Sequence, residues 1–367
     1  MIKLKKRLIF ALFLVILILI SGCKGKKDVK KSLEEIRTGT EGIVMSFLPN
    51  APPPTIHVEQ GADERSNTFE VVLEVRNKGA FPQPEDRGIT APPGRIYLSG
   101  YDPNIISLKD PKTSTDLNSQ ELSGKPLEGK SPINPNGGLD LLTFRGQVNV
   151  DNLNVEKYEP TLQATACYQY WTTAGPSVCI DPEPYSVAGQ KKVCEVNDIT
   201  MQSQGGPIAV TAIDEEAFAS KTQFKITIKN VGGGDVIRYE ALNKCGSSGD
   251  KILREDIDKV YLKEVKIGNK ILNCGPFVNT GDSSVRREAG DIRLINGEGF
   301  IICELSSGDY GSKTAYITPM TITLLYGYRS SIEKKIQIKR EVSGIIGGRE
   351  ATHTSPDTAS FPFIGEI

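Results

Sequence analysis

The chain has 367 residues, with 44 Lys and Arg against 45 Asp and Glu, 38% apolar residues, 36 Gly, 22 Pro and 7 Cys. An apolar share below the usual ~45% with abundant Gly and Pro favours turn-rich β structure over helical bundles, and the length suggests two domains of ordinary size. Residues 1–22 hold four cations and no acid, so the remainder carries 40 cations against 45 acids, a net −5 that counts against nucleic acid as the main partner. Two histidines leave little for general-base catalysis or a catalytic zinc site.

Lys3, Lys5, Lys6 and Arg7 precede thirteen consecutive apolar residues, Leu8 to Ile20, and Ile20-Ser21-Gly22-Cys23 closes the run. Thirteen residues fall short of the ~20 that span a bilayer, so the segment reads as a secretory signal over 1–22. Its ending resembles a lipobox, and that resemblance makes Cys23 the lipidated residue; an uncleaved signal anchor is the alternative. Either places the rest of the chain outside the membrane. Residues 23–40 form the tether, with Lys24, Lys26, Lys27, Lys30 and Lys31 either facing anionic headgroups or solvated as a spacer. The one expected helix lies between Val29 and Ile36.

Phe69, Val71, Leu73 and Val75 alternate with outward residues up to Asn77-Lys78-Gly79, the period-two pattern of a half-buried strand. Phe224, Ile226 and Ile228 do the same up to Asn230-Val231-Gly232, an offset of 153. Asn136-Gly137 with Asn296-Gly297, Phe144 with Phe300, and Tyr168-x-Tyr170 with Tyr326-x-Tyr328 repeat at offsets of 160, 156 and 158. One unit was duplicated on this reading. Each Tyr-x-Tyr strand is expected to turn into a short return strand, Val178–Ile180 and Lys335–Lys339, as a closing hairpin. The expected architecture is all-β: a first sandwich at 41–190, a second at 191–342 and a tail at 343–367, with 76–95 and 109–140 as long loops. The junction holds Asp181-Pro-Glu-Pro-Tyr185 and Gly189-Gln-Lys-Lys192.

Apart from Cys23 there are six cysteines, Cys167, Cys179, Cys194, Cys245, Cys274 and Cys303, an even number in an exported chain, which points to disulfides. The Thr-Thr-Ala-Gly-Pro stretch at 172–176, taken as a turn, predicts a Cys167–Cys179 bridge. Cys245 with Cys274 and Cys194 with Cys303 are the remaining pairings suggested. No Cys-x-x-Cys occurs and neither histidine stands at ligand spacing from a cysteine, so no metal or other cofactor is expected.

Other constellations are weaker. Ile345–Ala351 imitates a protease N-terminus with only sixteen residues following, and His57 and His353 sit in a proline-rich approach and in the tail. Gly232-Gly-Gly-Asp235 lacks the Lys-Ser/Thr of a phosphate loop. Asp214-Glu215-Glu216 lacks the spacing of a Ca²⁺ cage. Trp171 and tyrosines 168, 170, 185, 326 and 328 are core residues or stacking platforms.

The two alternating strands that run into Asn-x-Gly resemble the adhesion-related immunoglobulin-like modules of prokaryotic surface proteins. Phe47-Leu-Pro-Asn-Ala-Pro-Pro, Tyr97-Leu-Ser-Gly-Tyr-Asp-Pro-Asn-Ile-Ile, Cys167-Tyr-Gln-Tyr, Cys179-Ile-Asp-Pro and Asn230-Val-Gly-Gly-Gly-Asp are similar to stretches of uncharacterised archaeal cell-envelope lipoproteins. That resemblance covers roughly 41–342 and implies two tandem immunoglobulin-like sandwiches with no catalytic residue to transfer. The expected protein is held at the extracellular face of the cell membrane, is not an enzyme, and serves adhesion, binding of an extracellular protein or glycan, or envelope structure. A subunit of an S-layer or pilus-associated assembly, docking through Phe361–Ile367, and a hydrolase with a nonstandard site are the alternatives. The chain holds no Asn-x-Ser/Thr sequon.

Overall fold

The computed structural model describes residues 36–61, 66–82, 94–122, 127–186, 192–246, 251–278 and 286–341. The expected signal, Cys23, the helix up to residue 35, residues 187–191 of the junction and the tail from 342 onward lie outside the described residues. The first half holds β1 (Ile43–Phe47), β2 (Thr55–Glu59), β3 (Thr68–Asn77), β4 (Arg95–Ser99), β5 (Ile106–Lys109), β6 (Ser119–Glu121), β7 (Leu139–Val148), β8 (Lys157–Tyr158), β9 (Thr161–Ala174) and β10 (Ser177–Ile180). The second holds β11 (Ile199–Thr200), β12 (Ile208–Ala217), β13 (Lys221–Asn230), β14 (Asp235–Ile237), β15 (Lys259–Ile267), β16 (Lys270–Ile271), β17 (Asn273–Gly275), β18 (Gly290–Arg293), β19 (Glu298–Ser306), β20 (Tyr316–Lys335) and β21 (Gln337–Glu341). Short 3-10 turns are the helical elements among them. No described helix is long and apolar enough to cross a membrane.

The strands form because apolar residues recur every second position. In β3, Phe69, Val71, Leu73 and Val75 are buried while Glu70 faces out. In β9, Leu162, Ala164, Ala166, Tyr168 and Tyr170 turn inward and Gln163, Thr165 and Gln169 turn outward. A four-stranded sheet runs β1-β3-β7-β5 and a five-stranded sheet β11-β12-β13-β19-β17. A nine-stranded sheet, β16-β15-β20-β9-β4-β6 with β10, β14 and β18 attached, extends across both halves. A three-stranded sheet runs β2-β21-β8. One contiguous apolar cluster joins all four sheets, from Ile43, Ile56 and Leu73 to Phe224, Ile301, Ile322 and Ile338.

Two expectations about the centre are overturned. The strands after Tyr-x-Tyr are not closing hairpins. β9 pairs with β20 from Thr161↔Lys335 to Ala174↔Ile322, β10 continues in the same register from Ser177↔Pro319 to Ile180↔Tyr316, and β8 continues it at the other end with Tyr158↔Ile338. Residues 157–180 and 316–339 are therefore one long antiparallel ribbon. Pro160 and Pro176, which have no N–H to give, interrupt its strands, yet their carbonyls still accept from Ile336 and Met320. The Thr172–Pro176 stretch does not turn. Nor are 76–82 and 109–140 detached loops among their described residues: Phe81, Leu122 and Leu127 are buried in the core region, and 109–140 contains β6 and the start of β7.

The ribbon has an approximate two-fold centre at Gln169↔Gly327, where Tyr168 opposes Tyr328 and Tyr170 opposes Tyr326. Each half sends the end of its long strand to the other: β10 lies against β12, where Cys179 N–H reaches Glu215, and β21 pairs with β2.

Candidate functional site

The seam between the halves is built on two copies of one hydrogen-bond pattern. Asn77 Oδ1 accepts from Gly79 N at 3.0 Å and from the Tyr170 hydroxyl at 3.3 Å, and its Nδ2 donates to Phe81 O at 2.6 Å. Asn230 Oδ1 accepts from Gly232 N at 3.2 Å and from the Tyr328 hydroxyl at 3.2 Å, and its Nδ2 donates to Gly234 O at 2.9 Å. In both copies the residue four beyond the Asn returns its N–H to the phenol, Phe81 to Tyr170 at 3.0 Å and Gly234 to Tyr328 at 2.7 Å. The first tyrosine of each pair bonds the backbone at the head of its half, Tyr168 at Ile43 and Tyr326 at Ile208. The Asn-x-Gly and Tyr-x-Tyr landmarks are thus two ends of one clasp, present twice.

The Phe144–Phe300 landmark is not equivalent. Asn77 N donates to Gly138 O and Asn230 N to Gly297 O, an offset that places Phe144 opposite Cys303 in the repeat. Phe144 is buried, whereas Phe300 is half exposed beneath the Lys225 ammonium.

The four seam tyrosines are core residues. Their rings stand 5.9–6.2 Å apart, and burial pushes the phenols of Tyr168, Tyr170 and Tyr326 far above the ordinary value. Trp171 is buried against Phe81, and Tyr185 is exposed.

All six described cysteines are bridged, as Cys167–Cys245, Cys179–Cys194 and Cys274–Cys303. None of the three expected pairings occurs. Cys167 and Cys179 lie twelve positions apart on one extended ribbon strand, about 40 Å at the ~3.3 Å rise of a strand, so they cannot meet. Cys167–Cys245 instead ties the first half's ribbon strand to the turn after β14 in the second half.

The other sequence candidates are scattered. His57 is exposed on β2 and pairs with Glu341; His353 and Ile345–Ala351 lie outside the described residues. Among Asp214, Glu215 and Glu216 the strand alternation sends Glu215 inward and its neighbours outward, Asp214 to Lys225, so the three acids do not converge. No three His, Cys, Asp or Glu among the described residues are grouped to hold a metal ion. Gly232–Gly234 form a wall of a groove of about 440 Å³ whose opposite wall is β1 and whose floor includes Tyr168 and Tyr328. β1 ends its sheet, so one side of its backbone faces this groove.

Two buried carboxylates keep an unpartnered oxygen. Glu215 accepts from Cys179 N at 3.3 Å on Oε2 while Oε1 has no partner, and burial raises its pKa to about 7. Asp291 binds the Arg238 guanidinium at 2.7 Å through Oδ2 while Oδ1 has none, and burial outweighs Arg238 and Lys259 to raise its pKa. They sit on different sheets, β12 and β18, each with its own neighbours, and do not form an acid and base pair.

A second concavity, on the open face of the nine-stranded sheet, carries the charged Asp235, Lys244, Lys251 and Arg329 at its rim and, on its floor, the uncharged polar side chains of Ser99, Gln163, Thr165 and Ser331. Their only trace in the sequence is that the outward positions of β9 between Leu162 and Ala166 are Gln and Thr rather than Lys or Glu.

No protein-family model matches the chain, and no curated protein matches it. Among solved structures, the CupB6 tip adhesin from Pseudomonas aeruginosa aligns at 9% identity over 75% of this chain and 90% of that one, with a TM-score of 0.14. A likeness at that score carries no argument about ligand or mechanism.

Proposed function

We propose that the chain is a membrane-anchored, non-enzymatic surface protein whose rigid, disulfide-clamped β body binds an extracellular partner. The three disulfides carry the reading, because bridges that persist in a folded body belong to an oxidising compartment. The apolar run before Cys23 supplies an address consistent with them. Cross-linking the two halves through Cys167–Cys245 fixes the surfaces at the seam in advance of binding, which lowers the ordering cost of recognition.

The test is location and anchoring in intact cells. Protease added outside should degrade the protein, detergent-phase partition should hold it with membranes, and Cys23→Ser should release it or leave its precursor uncleaved. Recovery from the cytosol in protease-protected form would overturn the reading.

One feature favours a second reading, a subunit of an envelope assembly: the β1 edge facing the 440 Å³ groove is a place where a guest strand could add. Deleting 343–367 should then shrink the native complex, and an unchanged complex size removes docking through that tail.

A further inference from the structure

We propose that the trough on the open face of the nine-stranded sheet is a binding site for a neutral glycan; the inference deepens the reading of the chain as a surface-displayed binding body and rests on it. The trough encloses about 540 Å³, within the range of small-ligand sites and large enough for one or two sugar rings. Its floor spans three neighbouring strands: Tyr97 and Ser99 on β4, Gln163 and Thr165 on β9, Ser331 on β20.

The chemistry of the floor selects the ligand. Hydroxyls and an amide both donate and accept, as sugar hydroxyls do. Their mutual bonds leave capacity: Thr165 and Ser331 share one contact at 2.9 Å, Ser99 touches Gln163 at the long distance of 3.5 Å, and Gln163 Nε2 reaches Glu333 at 3.3 Å. Of the charged groups at the rim, Arg329 pairs with Asp235 at 2.8 Å and Lys244 with Asp256 at 3.0 Å, while Lys251 is exposed with no ion pair among the described residues. A polyol therefore meets open hydrogen-bonding capacity across the floor, and the unpaired cation, Lys251, stands at the solvent-exposed rim, where a lone charge is worth little.

The trough is held rigid. Cys167–Cys245 pins its wall to its floor, and Gly246 lies so close to the Tyr97 ring that a Cβ there would stand 2.3 Å from Cε1. A ring braced on one side is a platform for the apolar face of a sugar.

The experiment is saturation-transfer NMR on the full-length, oxidised protein in detergent micelles, titrated with maltose, cellobiose, lactose and diacetylchitobiose, and in parallel with a galacturonate dimer. Saturable binding of at least one neutral disaccharide is expected, weakened about fivefold by Thr165→Val and at least as much by Gln163→Leu, the loss of one hydrogen bond each. Thr165→Val keeps shape and strand preference, and an unchanged melting curve shows that the body is intact. No saturable binding to any neutral sugar, binding indifferent to both variants, or a preference for the uronate would each overturn the assignment. None of these outcomes alters the cell-surface result, so the two readings fail separately.

Discussion

Asn77 shows how much a single side chain holds at the seam. It is fully buried and makes bonds to Gly79 N, the Tyr170 hydroxyl, Phe81 O and Leu127 O, the last at 2.7 Å. Asn77→Ala leaves buried backbone groups without partners and should cost about 3 kcal/mol in urea unfolding, whereas Asn230→Ala, at a more exposed copy of the clasp, should cost about 1–2 kcal/mol. Equal costs would show that the two clasps are not graded by burial. Glu215 gives a pH-dependent counterpart. Its native pKa of about 7 lies above its ordinary 4.5, so between those values the folded state binds the proton more tightly than the unfolded state. Stability from this group is present below pH 4.5, falls as pH rises and is gone above 7. The loss is about 3 kcal/mol for a shift of this size, and Glu215→Gln should flatten that part of the pH profile of unfolding. A wild-type profile with no decline between pH 4.5 and 7 would contradict it. Asn-x-Gly and Tyr-x-Tyr were each visible as repeated landmarks, but their bonding to each other was not, because the partners are 93 and 98 residues apart.

At the level of elements, alternation was legible and partnership was not. The apolar period of β3 and β13 marks both as strands, and the structure pairs each with a strand of its own half, β7 and β19, a partnership the period does not specify. Thr172–Pro176 reads locally as a turn because Gly-Pro is a turn signal, yet the β20 ladder holds it extended and Pro176 sits where only its carbonyl is needed. That one override also explains the disulfides: the number of bridges follows from the cysteine count, whereas their partners depend on which distant strands lie side by side. The bridges should differ in worth. Cys167–Cys245 closes 78 residues and Cys179–Cys194 closes 15, so by loop entropy their removal as Cys→Ser pairs should cost about 4 and about 3 kcal/mol, the longer loop more. A thermal unfolding series that reverses this order would show that strain or residual structure, not loop closure, dominates.

For the whole molecule, the ribbon from 157–180 and 316–339 and the single apolar cluster bind the two repeats into one cooperative body. Calorimetry should show one transition with equal calorimetric and van't Hoff enthalpies, and residues 41–190 or 191–342 made alone should fail to fold, each lacking one strand of the ribbon. Two transitions would contradict this. The duplication was legible from offsets near 153–160, but the sharing of one sheet was not, since the strands that join the halves carry the same alternating pattern as strands that stay within one. Export and disulfide clamping meet in a single observable, the linkage map of the protein isolated from cells with its thiols blocked and without reduction. Peptide mass spectrometry should recover Cys167–Cys245, Cys179–Cys194 and Cys274–Cys303 from the membrane fraction. Free thiols at these six positions, or a Cys167–Cys179 peptide, would contradict the account.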